Sequence, residues 1–119
     1  MIGQLSTVVL DTPDPPALAR FYSEVLGLPV TRSDDDWWTI GTVPGFRMSF
    51  QLAPDHQPPR WPDPDHPQQF HVDVMVDDIE AAERAVLALG AKLLHRDDDG
   101  FTVFADPSGH PFCLVDDYN

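Results

Sequence analysis

Two stretches decide the fold: DPPALARFYSEVLG at residues 14–27 and DDIEAAERAVLALG at residues 77–90. In the first, Leu18, Phe21, Tyr22, Val25 and Leu26 recur at the spacing of one helix face. Asp14 offers an N-cap, Pro15 and Pro16 are tolerated in a first turn, and Gly27 supplies the stop. The second stretch follows the same plan, with Asp77 as cap and Glu80 three residues on. Its apolar face is Ala82, Val86 and Leu89, and Gly90 ends it. Asp14 to Gly27 and Asp77 to Gly90 are equally spaced, which predicts two copies of one unit.

Working outward, strand-like runs at 5–11 and 70–76 precede the two helices. Strand-like segments at about 28–33, 37–42 and 46–53 follow the first helix, and at about 91–96, 101–106 and 111–116 the second. Phe50-Gln51-Leu52 and Phe112-Cys113-Leu114 echo each other in the last strands. The fold class is therefore α+β, two tandem β-α-β-β-β modules in one domain over 1–119. Module 1 covers about 1–53, a connector 54–68, and module 2 about 69–119. The connector holds Pro54, Pro58, Pro59, Pro62, Pro64 and Pro67, which excludes a central strand or a helix. A loop of that length either covers a functional site or spaces the modules semi-rigidly.

Composition narrows the function. Seven Lys and Arg against twenty Asp and Glu give a net charge of −13, the wrong sign for nucleic acid. No apolar run approaches the roughly 18 residues of a membrane helix, and no secretion signal opens the chain, so a cytoplasmic protein is expected. The single cysteine, Cys113, excludes an internal disulfide and a multi-thiolate metal site. The runs Asp34-Asp35-Asp36 and Asp97-Asp98-Asp99 read as solvated turns or as a field attracting cationic ligands.

Several motifs now combine: Ala19-Arg20-Phe21-Tyr22 through Val25-Leu26-Gly27-Leu28, His71-Val72-Asp73-Val74 with Val76-Asp77-Asp78, Leu89-Gly90-Ala91, and Asp106-Pro107-Ser108-Gly109-His110. Together they resemble the vicinal oxygen chelate superfamily, which includes glyoxalase I, extradiol dioxygenases, fosfomycin-resistance enzymes and bleomycin-binding proteins. Pro59-Arg60-Trp61-Pro62-Asp63 leading to Gln69-Phe70-His71 is similar to a glyoxalase-like subgroup. The resemblance implies curved mixed sheets around a shared cavity, helices outside, and a homodimer. In metal-dependent members four ligand positions come from the first and last strands of each module. Carried over, they fall on Thr7, Gln51, His71 and Cys113. Only His71 is a strong match, and no carboxylate offsets the dehydration of an ion.

Alternation assigns the remaining candidates. Val72, Val74 and Val76 suit a covering helix, which turns His71, Asp73 and Met75 the other way. Met48, Phe50 and Leu52 likewise oppose Arg47, Ser49 and Gln51. His71 and Asp73 are candidate catalytic acid-base groups, or a hydrogen-bonded pair that satisfies a polar interior. Arg47 would compensate Asp73 or hold an anionic ligand. Cys113 is a nucleophile candidate beside His71, or a buried structural thiol. Trp37 and Trp38 face opposite sides of a strand, and Trp61 is the lid candidate, with core packing the alternative for all three. His56, His66 and His110 lie beside prolines or turns and are read as surface groups.

These residues point to a small-molecule binding protein that needs no metal or other cofactor. Its ligand, cationic or aromatic, would lie between Trp61, Gln51, His71 and Asp73, with Thr7, Arg47 and Cys113 completing the binding set. The alternative is a lyase, isomerase or dioxygenase using His71 and Gln51 with a divalent metal or as acid-base groups.

Overall fold

The computed structural model describes residues 1–96, 98 and 101–116. Ten elements follow one another: β1 (Val8–Thr12), α1 (Pro15–Leu26), β2 (Val30–Ser33), β3 (Trp37–Gly41), β4 (Arg47–Leu52), β5 (Val72–Met75), α2 (Ile79–Ala88), β6 (Lys92–Arg96), β7 (Phe101–Ala105) and β8 (Pro111–Val115). They build two four-stranded mixed sheets, ordered β1-β4-β3-β2 and β5-β8-β7-β6. In each the first strand runs parallel to the fourth, and the others pair antiparallel. The repeat predicted from the two helices is real in detail. Val8 and Val72, Pro15 and Ile79, Trp37 and Phe101, and Arg47 and Pro111 open corresponding elements at one constant offset. The two edge strands even share a bulge, between Val30 and Arg32 in β2 and between Leu93 and His95 in β6.

The chain divides into two compact units, Met1–His56 and Gln57–Asn119, each with its own core. In the first, α1 lies across β1 to β4. Leu18, Tyr22, Ile40, Met48 and Phe50 are fully buried there, and Tyr22 stacks on Phe50 at 5.8 Å. The Asp14 carboxylate accepts from the Ala17 N–H, and Gly27 closes the helix in the left-handed region at φ 66°. In the second unit α2 lies on β8, and Phe104, Phe112 and Leu114 are fully buried.

Three local expectations need correction. Asp78, not Asp77, caps α2, its carboxylate accepting from the Ala81 N–H at 3.1 Å. A cap must sit one residue before the helix, and Ile79 is the first helical residue. Leu89 is 41% exposed because the helix has already ended at Ala88. Glu83 takes the inward place instead, paired with Arg96 of β6. Leu26 is only half-buried. Of the run Asp97-Asp98-Asp99, Asp98 is an exposed turn residue and the other two lie outside the described residues.

Strand pairing also changes the repeat's internal alignment. Val9 pairs with Ser49 in the first sheet, and Asp73 with Cys113 in the second. Cys113 therefore corresponds to Ser49, not to Gln51, and the counterpart of Gln51 is Val115. Thr7 and His71 do correspond.

Residues 57–68 of the connector belong with the second unit. The Arg60 N–H donates to the His66 carbonyl and the Asp63 N–H to the Arg60 carbonyl, folding 60–66 into a tight turn. The Asp65 N–H and the His66 ring hold the Asp63 carboxyl below its ordinary range.

Candidate functional site

Each sheet has one face against its helix and one turned away. On the helix-free face of the second sheet, register sets Asp73 of β5, Cys113 of β8, Val103 of β7 and His95 of β6 in one row across all four strands. Met75 and Val115 sit beside this row, paired across β5 and β8. The turn at 60–66 delivers Trp61 onto the same face, where its half-buried indole packs against Val103, Cys113 and Val115. The indole meets the His95 ring edge-on at 5.8 Å. Gly109 helps to seat the connector, since a Cβ there would meet the Pro58 side chain at 2.5 Å.

At one end of the row, His71 Nε2 lies 3.2 Å from Asp73 Oδ1. The Cys113 thiol also hydrogen-bonds to Asp73. Asp73 thus bridges an imidazole and a thiol, and the ligand-type atoms of His71, Asp73 and Cys113 all lie within 4.8 Å of one another. An open cleft of about 470 Å³ borders this group, lined by His71, Val72, Asp73, Met75 and Val115.

Burial, reinforced by the Asp73 charge and hydrogen bond, pushes the Cys113 thiol up to about 11. The neighbour of the sulfur is a carboxylate, so the shift runs opposite to that of an activated nucleophile. Each pKa unit changes the thiolate fraction tenfold. The higher intrinsic nucleophilicity of a more basic thiolate offsets about half of that shift, so in metal-free protein near neutral pH Cys113 is expected to alkylate about tenfold more slowly than a cysteine at the ordinary 9.0. Iodoacetamide labelling of native against unfolded protein checks this, and equal rates would contradict it.

The first unit has its own cleft on its helix-free face, about 460 Å³, with Thr7, Arg32, Trp37, Thr39, Arg47 and Ser49 among its lining. Its chemistry differs. Thr7 and Ser49 hydroxyls share a hydrogen bond of 2.9 Å, as do Ser49 and Thr39, and the Trp37 indole N–H donates to Thr39. Arg47 donates to the Ser6 carbonyl and hydroxyl. Arg32 lies over the Trp37 ring and pairs with Asp34. Trp38 faces the helix, where Arg20 covers it.

Thr7, Arg47 and Gln51 thus belong to the first unit, and Trp61, His71, Asp73 and Cys113 to the second. The structure brings the latter four onto one face. The four carried-over metal positions do not fit a divalent ion as a set. Gln51 is exposed, Thr7 is engaged by Ser49, and none of the four is a carboxylate. His95 and Val103 went unrecognised in the sequence.

A family model described as a glyoxalase-like domain matches residues 7–115. No match was found among curated proteins. Among solved structures, a glyoxalase/bleomycin resistance protein/dioxygenase family enzyme from Burkholderia phytofirmans PsJN is 20% identical, covering 96% of this chain and 98% of its own, at TM-score 0.72. The fosfomycin resistance protein FosX from Listeria monocytogenes is 16% identical, with 99% and 96% covered and TM-score 0.73. A bleomycin-binding protein complexed with bleomycin is 20% identical, with 98% and 100% covered and TM-score 0.59. At these identities the likeness is one of fold.

Proposed function

Because this chain belongs to the glyoxalase-like domain family, we propose that it is a small-molecule binding protein whose site is the helix-free face of the second module. The observation that carries this reading is Trp61, delivered by an ordered turn onto Val103, Cys113 and Val115 beside the His71–Asp73 pair. A flat apolar wall next to a few polar groups is the usual make-up of a small-molecule pocket. In this reading the indole and Met75 hold the apolar part of the ligand, and the imidazole and carboxylate orient a polar group. A net charge of −13 favours a cationic ligand, and the structural likeness to a bleomycin-binding protein favours a bulky one. None of these contacts requires a metal.

The test uses metal-free bleomycin and a panel of aromatic amines as probes in calorimetry. Loss of the indole removes apolar contact, so Trp61→Ala is expected to weaken a bound probe by about 1–3 kcal/mol. Chelator should leave the affinity unchanged. A binder indifferent to Trp61→Ala would overturn the reading.

A second reading, a lyase, isomerase or dioxygenase, is favoured by the clustering of His71, Asp73 and Cys113. Turnover of a substrate that stops with His71→Gln would establish it over simple binding.

A further inference from the structure

The same second-module face holds a group of three donors that the binding reading uses only in part. We infer that His71 Nε2, an Asp73 carboxylate oxygen and Cys113 Sγ form a site for one zinc-class divalent ion, complete within the second module. The inference shares the face assigned under the proposed function but not its premise: an ion held here would engage the imidazole and carboxylate that the metal-free reading gives to the organic ligand, so the ion is tested with no organic ligand present.

The geometry is close to that of an ion site already. The three donor atoms lie within 4.8 Å of one another, on one sheet face. Tetrahedral zinc, with bonds of about 2.0–2.3 Å, sets its donors roughly 3.3–3.8 Å apart, so side-chain rotation of about an ångström closes the set. Asp73 and Cys113 are paired on neighbouring strands, and His71 lies two residues before Asp73, so the backbone holds all three. A thiolate and a carboxylate together balance the ion's charge, and sulfur with imidazole selects zinc or cobalt over calcium or magnesium. Three protein ligands leave one position open beside the cleft that Met75 and Val115 line.

The repeat supplies an internal control. The corresponding positions of the first module are Thr7, Val9 and Ser49, a set with no imidazole, carboxylate or thiol. The ion site thus belongs to one module, and it replaces the two-module set of Thr7, Gln51, His71 and Cys113 with a ligand, Asp73, that this set lacks.

The experiment titrates zinc and cobalt(II) into the untagged full chain after chelator treatment, with no organic ligand present. One equivalent should bind, and the cobalt form should show a thiolate-to-cobalt charge-transfer band. Cys113→Ser should abolish that band. His71→Gln, Asp73→Asn and Cys113→Ser should each lower zinc affinity at least about tenfold, given that even outer-shell changes weaken metal sites by about that much. Gln51→Ala and Thr7→Val should leave it within about twofold. Absence of the band in the unaltered chain overturns the inference whatever the variants do, as does zinc binding that survives Cys113→Ser or fails in Gln51→Ala. Either failure leaves the Trp61-dependent binding of bleomycin or aromatic amines to be judged on its own.

Discussion

Phe112→Ala is expected to lower the stability of the protein by about 3–5 kcal/mol, the range for removing a large aromatic from a packed core. Phe112 has no exposed surface and stacks on Phe104 at 5.7 Å. It pairs with Val72 of β5 on one side and Phe104 of β7 on the other, so β8 is an interior strand held from both sides. The helix that lies on β8, α2, spans Ile79–Ala88 and buries Val86 and Glu83. The effect reaches the site because Cys113 is the next residue, on the opposite face. Urea denaturation followed by circular dichroism measures the loss as a fall in the midpoint. A loss below about 1 kcal/mol would mean that the second core is not packed as described.

Gly41→Ala is expected to be the most damaging small change in the first module, about 3 kcal/mol or more. Two effects add. Gly41 sits at φ 81°, where a Cβ costs roughly 1–2 kcal/mol. A Cβ there would also collide with the Phe46 backbone carbonyl, which cannot swing aside as a side chain could. Gly41 pairs with Arg47 at the end of the β3–β4 hairpin, so the collision opens the strand that carries Ser49. The repeat again provides the control. The corresponding residue of the second module is Ala105, and no described residue other than glycine has positive φ. Ala105→Gly should therefore cost no more than about 1 kcal/mol, from added chain entropy alone. Similar losses for the two substitutions would contradict this account.

Much of the fold was legible because capping residues, glycine stops and helix periodicity repeat in both halves. The details that escaped have physical causes. Asp77 and Asp78 both carry a carboxylate able to cap, and only the helix start at Ile79 distinguishes them. The match of Phe50-Gln51-Leu52 with Phe112-Cys113-Leu114 is out of register by two residues. A two-residue slip leaves every side chain on its original face, so alternation cannot detect it. In β8 every residue is buried, which removes even the contrast between faces. His95 was hidden by the bulge in β6, which breaks the alternation that would have aimed it at Trp61. Net charge proved a coarse guide to local chemistry, since the first module's cleft is lined by Arg32 and Arg47 in a chain of charge −13.

The central claim is that ligand meets the protein on the helix-free face of the second module, under Trp61. The chain has three indole N–H groups, one each from Trp37, Trp38 and Trp61, and in nitrogen-15 spectra each gives its own signal. The Trp61 signal is identified by its loss in Trp61→Phe. On adding a bound aromatic amine or metal-free bleomycin, the account predicts that the Trp61 signal moves while that of Trp37, whose N–H is donated to Thr39 in the first module's cleft, stays in place. Movement of Trp37 with Trp61 unchanged would contradict it.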